Sequence, residues 1–322
     1  MEQGAMKIAC LGGGHGLYQT LRAARQMTPD GITAIVTVAD DGGSSGRLRR
    51  ELQMIPPGDL RMALAALARD EDDAQLWAKT LQHRFGGNGA LAGHAVGNLL
   101  IAGLAGVLGD EQQALDAVAD LTRSHGRVLP VVMQQLEIEA DVAGLDDDPR
   151  LLRPVRGQVA VASTPGEVRR VRILPEEPAA NANALQAIAE ADMITLGPGS
   201  WFSSVLPHVL VPEIVEAISA ASAQRVVILN LSAEPGETSG FSAERHLHVL
   251  AQHAPDLRVD KVLVEEGTVP VRANREHLQR AADAFGAEAV YEQVSALSDD
   301  GRIIARHEPD KLARALMAMH AQ

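Results

Sequence analysis

Within ten residues, Asp40-Asp41-Gly42-Gly43-Ser44-Ser45-Gly46-Arg47-Leu48-Arg49 brings together two carboxylates, two hydroxyls, three glycines and two arginines. Carboxylates there can ligand Mg²⁺ or contact a ribose, while glycine N–H groups, serine hydroxyls and arginines suit a diphosphate. The plainer alternative is a solvated loop in which Asp and Ser cap a helix. Gly12-Gly13-Gly14-His15-Gly16 is a second such segment. Its backbone N–H groups could approach a phosphate at a helix N-terminus, or it is a simple tight turn. Gly12 and Gly14 satisfy the first half of the dinucleotide fingerprint, but Leu17 stands at the third glycine; Asp40 lies at about the expected separation of 20 to 30 residues.

Other candidates are more scattered. Asp59, in Pro56-Pro57-Gly58-Asp59, reads as a helix N-cap or as a third acid joining Asp40 and Asp41 around a divalent ion. Gly197-Pro198-Gly199-Ser200 offers a seat for a second phosphate or a sugar. His94 and Asn98 lie one helical turn apart and can face one pocket. His94 could serve as acid, base or donor, although a lone histidine is more often structural. Asn230 opens a polar segment after an apolar run, where Pro235-Gly236 is an ordinary turn. Arg306 could clamp a phosphate or be a surface arginine. Cys10 sits inside an apolar run and reads as core.

These residues can converge only if a sheet aligns the segments that carry them. Met6–Leu11, the glycine turn, a helix over Tyr18–Met27 and the β-branched run Ile32–Ala39 read as a βαβ unit. Helices follow at Leu48–Gln53, Asp59–Ala68, Ala74–Gln82, Ala95–Leu108 and Glu111–Leu121. Strands at Leu136–Val142, Gln158–Ala162 and Val168–Leu174, separated by turns at Asp146–Pro149 and Thr164-Pro165-Gly166, read as an antiparallel insertion at about 128–175. Strands at Met193–Leu196, Arg225–Leu231 and Lys261–Val264 then alternate with helices at Ala182–Glu190, Val211–Ala221 and Ala243–Gln252, and a last strand ending at His307 leads into a helix over Asp310–Met319. The fold class is α/β: a Rossmann-like, doubly wound, mostly parallel sheet with a small antiparallel β insertion. Residues 1–5 are expected to be a disordered tail and 6–322 a single domain. In such sheets ligands bind outside the carboxyl ends of the strands, where the candidate segments fall.

Composition sets limits. With 46% hydrophobic and 22% charged residues, the chain of 322 residues has the apolar content of a folded protein. Its 29 Lys+Arg against 42 Asp+Glu argue against a phosphate-backbone footprint, so no nucleic-acid partner is expected. One cysteine excludes an internal disulfide and a multi-thiolate metal site. A start without a basic patch before a long apolar stretch, and apolar segments short of the roughly 18 to 20 residues of a span, predict a cytoplasmic protein without membrane insertion.

In order and spacing, the motifs at 12–17, 39–49, 56–61, 93–99 and 196–200 resemble the gluconeogenesis factor (YvcK) family, which is related to the 2-phospho-L-lactate transferases (CofD). The resemblance implies a nucleotide at the strand ends. It also implies a cytoplasmic UDP-sugar-binding regulator, with UDP-N-acetylglucosamine as the reference ligand, that links growth on gluconeogenic carbon sources to cell shape and envelope growth. The diphosphate would rest on Gly12–Gly16 and Gly42–Gly46, Asp40 and Asp41 would meet ribose or a metal-bound phosphate, Asn98 and Gly197–Ser200 the distal group, and Arg306 would neutralise charge. Mg²⁺ held by Asp40, Asp41 and Asp59 follows from the acidic trio and the related transferases; no redox cofactor is expected. A homo-oligomer, specifically a dimer, is the expected assembly. The alternative is a transferase moving a phosphate-linked group from a nucleotide diphosphate donor, with metal and positive donors carrying the displacement. Two Trp, two Tyr and four Phe leave few rings to stack on a flavin-like acceptor. The incomplete glycine fingerprint counts against a third reading, an NAD-linked dehydrogenase. Segment 230–241 departs from the family pattern, with Ser239 and Phe241 in place of Asp and Tyr, and neither is assigned to the site.

Overall fold

The computed structural model describes residues 6–27, 30–148, 150–233, 237–238, 240–269, 271–298 and 300–321. The tail expected at 1–5, the end of the Asp146–Pro149 turn, Pro235-Gly236 and Ser239 lie outside the described residues.

β1 (Lys7–Gly12), α1 (Gly14–Gln26) and β2 (Gly31–Val36) form the opening βαβ unit. Five helices follow, α2 (Gly43–Leu52), α3 (Gly58–Leu67), α4 (Asp72–Gln82), α5 (Val96–Leu108) and α6 (Glu111–Leu121), before β3 (Gly126–Pro130) joins the sheet. The insertion holds β4 (Glu137–Ala143), β5 (Leu152–Arg156), α7 (Gln158–Ala162) and β6 (Glu167–Leu174). Then come α8 (Ala182–Ala189), β7 (Met193–Leu196), a π-helical turn (Trp201–Val205), α9 (Leu206–Val209), α10 (Pro212–Ala220), β8 (Gln224–Ile228), α11 (Ala243–His253) and β9 (Lys261–Glu265). α12 (Arg272–Asp283), β10 (Glu288–Glu292), β11 (Ser295–Leu297), β12 (Ile303–His307) and α13 (Pro309–His320) complete the order.

Seven strands make one sheet in the order β10-β9-β8-β7-β1-β2-β3, and every neighbouring pair is parallel. The chain moves from β1 outward to β3, then returns to lay β7 on the other flank of β1. That reversal between β1 and β7 is the switch point at which such sheets open a crevice. Strands in the middle are buried on both faces, as their continuous apolar runs require: Cys10, Leu11, Ala34, Ile35 and Val36 are fully covered. Burial pushes the Cys10 thiol up to about 12, which keeps it an inert core group. His208, also fully buried, ties the segment after β7 to β2, its Nε2 lying 3.0 Å from the Ile35 carbonyl oxygen.

Several expectations need correction. Gln158–Ala162, read as a strand from its alternating valines, is the helical turn α7; Gly157, at φ +93°, breaks the extended run, and β5 ends just before it. The antiparallel sheet, ordered β5-β4-β6, runs from Glu137 to Leu174, because Val128 belongs to β3 of the main sheet. α1 and α2 begin at Gly14 and Gly43, so the glycine segments are first helical turns. β3, β5, β10, β11 and α12 have no counterpart among the elements expected from the sequence. Among the described residues no single helix is long and apolar enough to cross a membrane; the pair Trp201–Val209 and Pro212–Ala220 reaches that length only across a 71° bend.

Candidate functional site

The site begins with glycines that neighbouring segments crowd. A Cβ on Gly13 would stand 2.4 Å from Asp59 Oδ2, and one on Gly16 2.1 Å from the Pro198 carbonyl oxygen. So α3 presses on the start of α1 from one side, and the turn after β7 from the other. Asp59 does not cap its own helix, where Pro57 holds the N-cap position without a side-chain bond. It accepts the Gly14 N–H instead, placing a carboxylate at the positive end of α1.

Asp40, beyond the end of β2, accepts the Gly42 N–H at 2.9 Å and a hydrogen bond from Ser45. Burial raises its carboxyl group above the ordinary range, the neighbouring Asp41 charge adding a smaller push. Burial, reinforced by the Asp40 charge, pushes Asp59 up to about 7. Two desolvated carboxylates facing one cavity therefore share the strain of like charge. Asp41 turns elsewhere: its Oδ1 accepts the Val159 N–H at 3.0 Å and caps α7, and a Cβ on Gly157 would meet its Oδ2 at 2.5 Å. Asp40, Asp41 and Asp59 do not converge, and among the described residues no three His, Cys, Asp or Glu side chains gather as a metal cluster.

Three cavities follow one another along the strand ends. The first, about 300 Å³, lies between Gly13–Gly16, Asp40 and Asp59 on one side and Gly199, Ser200, Ser203 and Ser204 on the other, with Gln158 from the insertion at its border. The second, also about 300 Å³, shares His15, Gly16 and Gly199 with the first and adds Pro198, Asn230 and Arg306. The third, about 440 Å³, continues from Asn230–Ala233 to Phe241 and His246. Volumes of this size admit a small-molecule ligand.

The β7 side presents neutral groups to the cavities and is held by an amide and a carboxylate. Asn230 clamps Gly199 at both ends, accepting its N–H at 2.9 Å and donating to its carbonyl oxygen at 2.8 Å. Glu237 Oε1 accepts the Ser200 hydroxyl at 2.6 Å and the Phe202 N–H at 2.9 Å, fixing the π-helical turn. Arg306 comes from β12, which pairs with β11 outside the parallel sheet, and is the only Arg or Lys among the described residues lining the three cavities.

Gly42, Gly43, Ser44, Ser45, Arg47, His94 and Asn98 line none of the three. Asn98 is nearly fully buried, donates to Ser44 Oγ at 3.0 Å and accepts from Arg61 Nε at 2.9 Å, so both ends of its amide are used. His94 Nδ1 lies 3.0 Å from the same hydroxyl, and burial lowers its basicity. Arg47 donates to the Ala92 carbonyl oxygen at 2.8 Å. This network braces α2, α3 and α5 beneath the site. Arg61, which also reaches Gln82, is its buried cation, held down to about 10 by loss of water. Arg61, Gln158, Ser203, Ser204 and Glu237 are not among the residues assigned to the site from the sequence, although Arg61 closes the 56–61 motif and Glu237 lies in the polar segment that Asn230 opens; the hydroxyl-rich run Ser200-x-x-Ser203-Ser204 after a glycine turn is a further readable signal.

A switch-point crevice walled by two glycine turns and a carboxylate pair defines a Rossmann-like α/β protein with a ligand-sized cleft at its strand ends. A family profile described as 2-phospho-L-lactate transferase CofD matches residues 8–301, and the chain belongs to this family. It belongs equally with the gluconeogenesis factors. It is 57% identical over 309 residues to a gluconeogenesis factor homologue of Mycobacterium tuberculosis, covering 96% of this chain and 89% of the relative. It is 36% identical to the gluconeogenesis factor of Bacillus subtilis, with 97% of each chain covered. A crystal structure of a UPF0052 family member from Bacillus halodurans superposes with a TM-score of 0.84 at 34% identity, covering 97% of this chain and 99% of that one.

Proposed function

We propose that this protein is a cytoplasmic regulator that binds a UDP-sugar, with UDP-N-acetylglucosamine as the reference ligand, and couples growth on gluconeogenic carbon sources to cell shape and envelope growth. The observation that carries the reading is the continuous cleft at the switch point, where the Gly13–Gly16 and Gly199–Ser200 turns face each other. In this reading the diphosphate lies between those turns, Arg306 binds the remainder of the ligand, and Asn230 holds the Gly199 turn in place beside it. Ser44, His94 and Asn98 support the floor.

Asp40 and Asp59 fit a divalent cation. Mg²⁺ is commonly held by one or two carboxylates plus phosphates and water, and two desolvated acids beside an anion cleft form that donor set. A bound cation would supply charge neutralisation between the acids and the diphosphate. Asp41 supports the insertion in this arrangement and is left out of the metal set.

The second reading, transfer of a phosphate-linked group from a nucleotide donor, is favoured by the CofD match and by Asp59 sitting near neutrality, where a carboxyl group can hold or release a proton. Calorimetric titration with UDP-N-acetylglucosamine, with and without Mg²⁺, followed by analysis of the recovered ligand, separates them. Saturable binding with ligand recovered intact supports the regulator. Consumption of ligand, or no binding, shifts the weight to the transferase.

A further inference from the structure

We infer that Gln158, the first residue of α7, is the side chain through which the insertion reads the sugar end of the ligand, and that Asp41 is its positioning residue. The inference rests on the nucleotide-sugar reading above and adds which residue meets the group beyond the diphosphate. Of the residues described in the insertion, Gln158 alone lines any of the three cavities. It borders the first, where Asp40, Asp59, Ser200, Ser203 and Ser204 are its fellow lining residues, and it is the only amide side chain among them. Its Oε1 is buried and accepts no hydrogen bond. An acceptor stripped of water and left unpaired is costly, so one carried at a cavity wall is completed by a donor from the ligand.

The backbone on either side of Gln158 is fixed. Gly157 donates to the Ile138 carbonyl oxygen at 2.8 Å, and its φ of +93° suits glycine. A Cβ there would also stand 2.5 Å from Asp41 Oδ2, while Asp41 Oδ1 accepts the Val159 N–H at 3.0 Å. Asp41 thus bears on the residue before Gln158 and on the residue after it. Further along, buried Val161 donates its N–H to the Gly157 carbonyl oxygen at 2.9 Å, and the Ser163 hydroxyl donates to the Val159 carbonyl oxygen at 2.7 Å. The two adjacent acids therefore divide their work: Asp40 lines the cavity, and Asp41 holds the amide that joins it there.

The chemistry of the amide selects the group it meets. An ionised phosphate offers acceptors only, so it has no proton to give Oε1. A sugar hydroxyl or an acetamido N–H is a neutral donor and supplies one. With the diphosphate between the glycine turns that wall this cavity, the group attached to it falls within reach of the same cavity. A divalent cation is the competing partner of an amide oxygen, and the ligand series below separates the two.

Calorimetric titration of the full chain in Mg²⁺ with UDP-N-acetylglucosamine, UDP-glucose and UDP tests this. Gln158→Ala should weaken UDP-N-acetylglucosamine about tenfold and change UDP by less than about twofold, with circular dichroism and thermal midpoint not lowered. A similar loss with UDP-glucose assigns the contact to a ring hydroxyl, whereas a loss confined to UDP-N-acetylglucosamine assigns it to the acetamido N–H; both uphold the inference. Asp41→Ala should reproduce part of the loss, about twofold, and Asp41→Asn, which keeps an acceptor for the Val159 N–H, should restore it. Equal weakening of UDP and the UDP-sugars by Gln158→Ala overturns the inference, since the amide would then serve the diphosphate or its cation. So does UDP-sugar binding that Gln158→Ala leaves unchanged. A wild-type chain that binds UDP but neither UDP-sugar overturns it while leaving a nucleotide site in place, and one that binds none of the three removes the nucleotide-sugar reading along with it.

Discussion

On the β2 side of the cleft the groups are acidic and starved of water, Asp40 and Asp59, and the Gly14 N–H at the helix terminus already serves one of them. On the β7 side the cavity-facing groups, Gly199, Ser200, Ser203, Ser204 and Asn230, are neutral and locked, with Gly199 clamped by Asn230 and the π-helical turn fixed by the Glu237 carboxylate, which lines none of the three cavities. Polarity is thus divided across the cleft. The acidic wall repels a diphosphate unless a cation intervenes, whereas the neutral wall can donate hydrogen bonds to sugar or phosphate directly. A ligand spanning both should bind weakly without metal and strongly with it.

The largest disturbance should come from forcing the walls apart. Gly16→Ala sets a methyl against the Pro198 backbone, and we expect a loss of about 3 kcal/mol in urea denaturation, together with loss of ligand binding. Next, Asp40→Ala removes charge from the acidic wall alone. Affinity in Mg²⁺ should fall about 100-fold, near 2.7 kcal/mol, to the metal-free level, and titration of the same variant without Mg²⁺ should match or exceed wild type. Asn230→Ala loosens the neutral wall. Its cost, about tenfold, should be the same with and without Mg²⁺, which calorimetry in both buffers would check. Asp41→Ala should change affinity least, under about threefold, while lowering stability by about 1 kcal/mol through the lost cap and hastening proteolysis around α7. Equal effects of Asp40→Ala and Asp41→Ala on binding would erase the distinction between the two acids.

The sheet was legible because its signals are local. Apolar runs ending in glycine or Asp mark β1, β2 and β7, and their parallel alternation with helices sets the fold class. The site was legible as a set of segments, less so as a set of side chains. Asp40 and Asp41 are adjacent in sequence, and only the packing of the insertion decides that Asp41 caps α7 while Asp40 faces the cavity. Ser44, His94 and Asn98 have the polarity of ligand contacts, but their mutual hydrogen bonds and the burial of Arg61 appear only when α2, α3 and α5 are assembled. Gln158 was lost to the strand reading, since alternating valines fit either state until Gly157 and Asp41 select the helical turn. α12 went unread because Leu278, Ala281 and Ala282 make a thin apolar stripe among charges.

The acidic wall also fixes a pH dependence. Asp59 titrates near 7 in the folded chain and near 3.8 when unfolded, so its folded state favours the proton. That contribution to stability is fully present below the unfolded value and is lost as pH rises towards 7; cation binding, which needs the ionised acid, moves the other way. The most direct test is calorimetric titration of UDP-N-acetylglucosamine in Mg²⁺ across pH 6 to 8, with Asp59→Asn alongside. The account predicts that Mg²⁺ strengthens wild-type binding by roughly tenfold more at the upper pH than at the lower, and that the variant shows no such rise. Binding that ignores Mg²⁺, or a pH profile that Asp59→Asn leaves unchanged, would contradict it.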